Sequence, residues 1–207
     1  MCGFVGYVND TPDKSVNEKI IKDMADRIRH RGPDQDDYYV DSSVSLGFRR
    51  LSIIDLDGGS QPILNEDGTK VLVFNGEIYN YQPIREELIK KGHVFRTKTD
   101  SEVLLHGYEE YGCELLNKLR GMFAFVIWDS TEKKLFGARD IFGIKPFFYY
   151  LKNGNFLFGS EIKSFLSNPL FEKELNEERL PDYLCFEYIP TTETMFKNVY
   201  KMEPGSY

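Results

Sequence analysis

The sequence predicts an α+β protein built on antiparallel sheets with helices covering their outer faces, on three observations. Apolar β-forming segments follow one another in hairpin-like succession along most of the chain. Residues 123–128 (Phe-Ala-Phe-Val-Ile-Trp) form a near-continuous apolar run, the mark of a strand covered on both faces. Aromatic residues, 16 Phe and 13 Tyr, favour pleated surfaces over helix bundles. Six or more strands with this many apolar positions suffice for two stacked sheets.

Taken in order, Gly3–Val8 reads as a buried strand that begins almost at the terminus. Ser15-Val-Asn-Glu18 has the pattern of a capping box. Behind it Val16, Ile20, Met24 and Ile28, with Ile21 and Ala25, make one apolar helical face. That helix is expected to end near Arg29, because His30-Arg-Gly-Pro-Asp34 is full of breakers. Strands are expected at 37–40 and 45–49, across the polar Asp41-Ser-Ser43. Residues 51–54 begin extended and run into the turn-rich 55–62. Val71–Phe74 is strongly β, and the strand signal resumes at Ile78-Tyr79.

Pro83 fits the first position of a helix, where its missing donor costs nothing. Ile84, Leu88 and Ile89 give that helix its face and Gly92 terminates it. Thr99-Asp-Ser-Glu102 is a second capping box, opening a helix with Val103, Leu104, Gly107 and Tyr108 along one side and ending at Gly112. After the 123–128 strand, Asp129–Lys133 turns the chain into 134–138. Phe147–Leu151 and Asn155–Gly159 form a hairpin across Lys152-Asn-Gly154. Helices are expected at 161–165 and 176–185.

Composition excludes several classes. The chain has 207 residues, and 26 Lys plus Arg against 33 Asp plus Glu give a net charge of −7. With no basic block, a nucleic-acid partner is not expected. No window approaches about 18 uncharged apolar residues, so no membrane span is expected. The N-terminus carries neither a basic leader nor a long apolar stretch, so no secretory signal is expected. Cys2, Cys113 and Cys185 are widely spaced and lack a CxxC, which fits neither a disulfide framework nor a zinc site. His30, His93 and His106 show no ligand spacing, and no metal is expected. A reducing cytoplasm is the expected compartment.

Cys2 is the most informative residue. Removal of Met1 would leave a thiol and a free α-amine on one residue, and an α-amine titrates near pH 7.7–8.0, low enough to serve as a base. The alternative is a terminal cysteine without a role, but the strand at Gly3–Val8 buries this terminus. Asn75-Gly76 reads either as a hairpin turn or as an oxyanion hole, in which an Asn amide and a Gly N–H donate to one developing charge. Arg50 ends a strand and can grip a carboxylate with its planar fork. Glu77 and Asp100 suit an ammonium group. One cation and two anions complement a free α-amino acid, but the same residues read equally as a surface ion pair and a helix-end decoration. Arg31-Gly-Pro-Asp34 and Arg139–Pro146 read equally as plain connections and as loops that hold another loop or a partner domain in place, and neither is assigned a catalytic role.

Seven motifs occur in order: Cys2-Gly-Phe-Val-Gly6, His30-Arg-Gly-Pro-Asp34, Arg50-Leu-Ser-Ile-Ile-Asp55, Phe74-Asn-Gly-Glu-Ile-Tyr-Asn80, Thr99-Asp-Ser-Glu102, Gly121-Met-Phe-Ala-Phe125 and Arg139-Asp-Ile-Phe-Gly-Ile-Lys-Pro146. In series they resemble the glutaminase domain of glutamine-dependent asparagine synthetases, class II amidotransferases with an N-terminal nucleophile. The resemblance implies a four-layer αββα sandwich and hydrolysis of L-glutamine to glutamate and ammonia. It implies Cys2 as nucleophile, Asn75 and Gly76 as oxyanion hole, and Arg50 on the substrate carboxylate. It places Glu77 and Asp100 on the substrate ammonium, with Leu51 and Ile53 lining the pocket through backbone groups.

It further implies no cofactor in this domain. ATP and Mg are expected only in a C-terminal synthetase domain that is absent from residues 1–207 and is the expected partner, with a homodimer as the expected assembly. The alternatives are a class II amidotransferase with another ammonia acceptor, and a non-catalytic binding module that keeps the fold.

Overall fold

The computed structural model describes residues 1–51 and 59–207. Among these, the chain runs β1 (Gly3–Val8), α1 (Lys14–Asp26), β2 (Gln35–Val40), β3 (Val44–Arg50), β4 (Ile63–Leu64), β5 (Lys70–Ile78), α2 (Tyr81–Lys90), α3 (Ser101–Tyr111), α4 (Leu115–Lys118), β6 (Gly121–Asp129), β7 (Lys134–Arg139), β8 (Phe148–Lys152), β9 (Asn155–Gly159), α5 (Leu180–Phe186) and β10 (Val199–Lys201). Short 3₁₀ turns punctuate it. The strands form two antiparallel sheets, one of order β10-β8-β9-β1-β3-β2 and one of order β4-β5-β6-β7.

Strand alternation builds four layers from these sheets. Phe4 of β1, Leu46 and Phe48 of β3, Val71 and Val73 of β5, and Ala124 and Val126 of β6 point into one core between the sheets. The opposite residues point outward. Val5 and Tyr7 meet Ile21, Met24 and Ala25 of α1, with Phe165, on one side. Leu72, Phe74, Phe125 and Ile127 meet Ile84 and Leu88 of α2 and Val103, Leu104 and Leu105 of α3 on the other. Helix, sheet, sheet, helix is the αββα sandwich that the motif series implies.

Several expectations need correction. Asn75-Gly76 is not a turn: β5 runs straight through it, paired residue for residue with β6, Asn75 opposite Ala124 and Gly76 opposite Phe123. A Cβ on Gly76 would lie 2.3 Å from the Met122 carbonyl oxygen and 2.7 Å from Phe123 Cα. The glycine is required by close approach of the partner strand, not by a turn. The same dipeptide at Asn153-Gly154 does make the expected hairpin, with φ of 53° and 83°.

Neither capping box forms as written. Asp13 caps α1, accepting from Ser15 N–H and Val16 N–H. Ser15 Oγ then donates to the same carboxylate rather than capping the helix itself. The last turn stops at Asp26, and Val16 is exposed. At α3, Asp100 holds the cap position but turns its carboxylate to Ile78 N–H, while Glu102 reaches back to the N–H groups of Arg96 and Thr97. Pro83 is the third residue of α2, inside the first turn whose donors have no helical partner, and Ile89 is exposed. Residues 162–167 and 177–179 are 3₁₀ turns, with α5 following the second. The short strands β4 and β10 were not anticipated.

Candidate active site

β1 lies in the middle of the six-stranded sheet, between β9 and β3, and starts at Gly3. Its register pairs Gly3 with Arg49, so Cys2 falls beside the end of β3. Cys2 and Phe4 share a face, and Cys2 packs against the core between the sheets. Leu51 follows β3 and closes on the sulfur: its N–H lies 3.4 Å from Cys2 Sγ and its carbonyl 3.5 Å away. Arg31 anchors the terminus from the other side. Its Nε donates to the Cys2 carbonyl at 2.9 Å while Nη1 pairs with Glu161 at 3.0 Å. Of the two readings of Arg31-Gly-Pro-Asp34, plain connection or holding loop, these contacts fit the second, and the segment held is the backbone of Cys2.

The two arginines that end β3 separate by strand alternation. Arg49 turns outward to Asp26 of α1 and Asp36 of β2. Arg50 turns to the inner side, is buried, and donates to Gln35 at 2.8 Å. A cavity of about 110 Å³ opens beside Cys2. Arg50, Leu51, Gly76, Glu77 and Asp100 line it, together with Gly59, Gln61, Thr99 and Ser101. Two sheets and the start of α3 therefore bring the thiol, a guanidinium and two carboxylates to one opening. Ile53 lies outside the described residues.

Asn75 is buried, and among the described residues its side-chain Nδ2 has no hydrogen-bond partner. Leaving such a donor unpaired costs about 1–3 kcal/mol, so the position is notable. It lies on the same alternating face of β5 as Val71 and Val73, the face turned toward the sheet that carries Cys2. Asn75 is not itself a wall of the cavity; Gly76 and Glu77 are.

Asp100 is held by Ile78 N–H at 2.7 Å. Burial pushes its carboxyl above the usual carboxylate range, more than that hydrogen bond lowers it, and Glu77 adds to the rise. A half-buried carboxylate with no ion-pair partner among the described residues is suited to receive a cation.

Sequence reasoning did not single out Gln61. Its amide clamps β5, with Phe74 N–H donating to Oε1 and Nε2 donating to the Phe74 carbonyl. The only local hint is its place in a turn-rich stretch. Thr99 and Ser101, read as cap residues, instead line the cavity and bond to each other at 2.9 Å.

Known proteins resemble this chain along its whole length. A family described as "Glutamine amidotransferase domain" matches residues 1–207. The chain is 49% identical over 210 residues to asparagine synthetase [glutamine-hydrolyzing] 1 of Bacillus subtilis, covering all of this chain and 33% of that protein. It is 43% identical to asparagine synthetase [glutamine-hydrolyzing] 2 of the same organism, covering 28% of it. It therefore spans about a third of the length of the curated relatives it matches. Among solved structures, the glutamine phosphoribosylpyrophosphate amidotransferase of B. subtilis superposes with a TM-score of 0.66 at 19% identity, over 84% of this chain and 45% of that one. That likeness shows a shared fold. With the family matched from end to end and the sandwich in common, the chain belongs to the glutamine amidotransferase domain family.

Proposed function

We propose that this chain hydrolyses glutamine to glutamate and ammonia through a thioester on Cys2, as the glutaminase part of a glutamine-hydrolysing asparagine synthetase. The observation that carries the reading is the convergence of the Cys2 thiol, Arg50, Glu77 and Asp100 on one cavity. With Met1 removed, the Cys2 α-amine takes the thiol proton as sulfur attacks the side-chain amide carbon. A C–S bond forms, and negative charge moves onto the amide oxygen. Asn75 Nδ2 and the Gly76 N–H stabilise that charge; one such donor is worth about 10²–10³ in rate. The C–N bond then breaks, and the α-ammonium returns its proton to the leaving ammonia. Water attacks the thioester and releases glutamate with the free thiol.

Arg50 holds the substrate carboxylate, while Glu77 and Asp100 hold its ammonium. These contacts orient the far end of glutamine so that the near end reaches sulfur. Leu51, and in this reading Ile53, contribute backbone groups. The whole protein includes an ATP- and Mg-dependent synthetase domain as partner, works in the cytoplasm and assembles as a homodimer. Support for the asparagine-forming reading over other amidotransferases comes from the relatives: 49% and 43% identity to asparagine synthetases, against 19% to the phosphoribosyl enzyme.

The test compares the chain bearing a free Cys2 amine with one whose N-terminus is blocked by retained Met1. Glutamate release is expected to fall by about 10²–10⁴ in the blocked form, the usual worth of a positioned base. Normal turnover by protein whose intact mass includes Met1 overturns the α-amine as base.

A further inference from the structure

On the helical layer outside the four-stranded sheet, three side chains converge that take no part in the cavity. His93 follows α2, and His106 and Glu109 lie one turn apart on α3, with His106 fully buried. Their ligand atoms lie within 4.8 Å of one another. His106 Nδ1 is 2.9 Å and His93 Nδ1 3.7 Å from the same carboxylate oxygen, Glu109 Oε2. Glu66, beside β4, brings Oε1 to 3.9 Å from His106 Nδ1.

The opposite edge of each imidazole faces another carboxylate. His93 Nε2 is 3.2 Å from Glu110, and His106 Nε2 is 3.7 Å from Glu102. The latter nitrogen is buried and, among the described residues, has no hydrogen-bond partner. Glu109's second oxygen is fixed by Asn65 Nδ2 at 2.7 Å.

We propose that His93 Nδ1, His106 Nδ1 and the Glu109 carboxylate, with Glu66 as fourth donor, form a binding site for zinc or a similar divalent transition-metal ion. Two imidazoles and carboxylates are the donor set such ions prefer. Bonds of about 2.0–2.1 Å in a tetrahedron put neighbouring donors roughly 3.3 Å apart, which the separations of 2.9, 3.7 and 3.9 Å straddle. Glu110 backs the other nitrogen of His93 at 3.2 Å, the arrangement that orients a ligand ring and raises its basicity. Hydrogen bonds account for His106 Nδ1 with Glu109 and for His93 Nε2 with Glu110, and leave His93 Nδ1 at 3.7 Å from the oxygen it faces and His106 Nε2 without a partner among the described residues. The ion would tie the chain after α2, α3 and the turn beside β4 together on one face of the domain.

The test titrates the metal-stripped full chain with zinc and, in parallel, records cobalt(II) absorption. One equivalent is expected to bind, to raise Tm, and to give tetrahedral ligand-field bands without a thiolate charge-transfer band, which separates this site from the three cysteines. His93→Ala and Glu109→Gln are each expected to weaken zinc binding at least about tenfold, and Glu110→Gln by roughly 10–100-fold through loss of the backing carboxylate. His93, Glu109 and Glu110 are all partly exposed, and far-UV circular dichroism verifies that each variant keeps the fold. No saturable zinc binding, unchanged affinity in both His93→Ala and Glu109→Gln, or a cobalt spectrum dominated by thiolate overturns the proposal.

Discussion

The peptide group of Leu51 brackets the Cys2 sulfur, its N–H 3.4 Å and its carbonyl 3.5 Å away. The carbonyl accepts the S–H hydrogen and aims it, and the N–H points at the sulfur from the other side. Both come from backbone set in place by the register between β1 and β3, so the thiol is oriented by the sheet that carries it. A rigid support of this kind is what a site needs to hold a reacting atom in position.

The unpartnered Asn75 amide gives the first prediction. Asn75→Ala is expected to lower kcat for glutamine hydrolysis by about 10²–10³. Unfolding stability is expected to change little, because the buried donor has no partner to lose. Steady-state kinetics and a denaturant titration check the pair. A variant that loses stability in proportion to activity would make Asn75 a structural residue.

Asp100 gives a second prediction in which function and stability separate. Its folded pKa is raised by burial. The folded state therefore holds the proton more tightly than the unfolded one, and stability from this group falls as pH rises through the folded pKa. Where the carboxyl is ionised, its burial is a cost to the fold. Asp100→Asn keeps an acceptor for Ile78 N–H and removes that cost, so Tm is expected to hold or rise. KM for glutamine is expected to rise at least about tenfold, since the substrate ammonium loses a charged partner. In the parent, KM should climb as pH falls through the raised pKa.

Gly76 tests the reading of β5 as a continuous strand. Gly76→Ala would drive a methyl group into the backbone of β6, at Met122 and Phe123. Backbone cannot swing aside as a side chain can, so a loss of about 3 kcal/mol is expected. Equilibrium urea unfolding measures it.

How far the sequence carried this picture depends on whether a signal was local. The hairpin at Asn153-Gly154 was legible because its turn needs two positive φ angles that few residues adopt. The identical dipeptide at 75–76 misled because the demand there comes from β6, some 50 residues onward. Ser15-Val-Asn-Glu18 and Thr99-Asp-Ser-Glu102 fit the capping pattern, yet Asp13 caps α1 and Asp100 looks to the sheet. Both outcomes are tertiary or positional choices that a four-residue pattern does not hold. The cavity residues Arg50, Glu77 and Asp100 were named from charge type, but only the register of the sheets says that they share an opening. His93 and His106 were dismissed on spacing; the fold, not the spacing, brings them to Glu109.

The anchor of the N-terminus gives a pH prediction. Burial raises the Glu161 carboxyl, but Arg31, His30 and Lys163 outweigh it and hold its pKa below the usual value. A depressed carboxylate contributes stability above its unfolded pKa and loses it as pH falls through the folded one. Glu161→Gln should therefore flatten the acid limb of the stability curve. Because the group is partly exposed, the loss at neutral pH is expected to stay within about 1 kcal/mol. Thermal melts of parent and variant from acid to neutral pH reveal it.

The central claim is that the sulfur of Cys2, alone among the thiols, attacks the amide carbon of glutamine. A diazoketone analogue of glutamine, followed by intact mass and peptide mapping, addresses it most directly. The account predicts a single adduct on Cys2, suppressed by excess glutamine and missing in Cys2→Ala, while the exposed Cys113 and Cys185 stay unmodified. Labelling of Cys113 or Cys185 in place of Cys2, or undiminished glutamate release by Cys2→Ala, would contradict it.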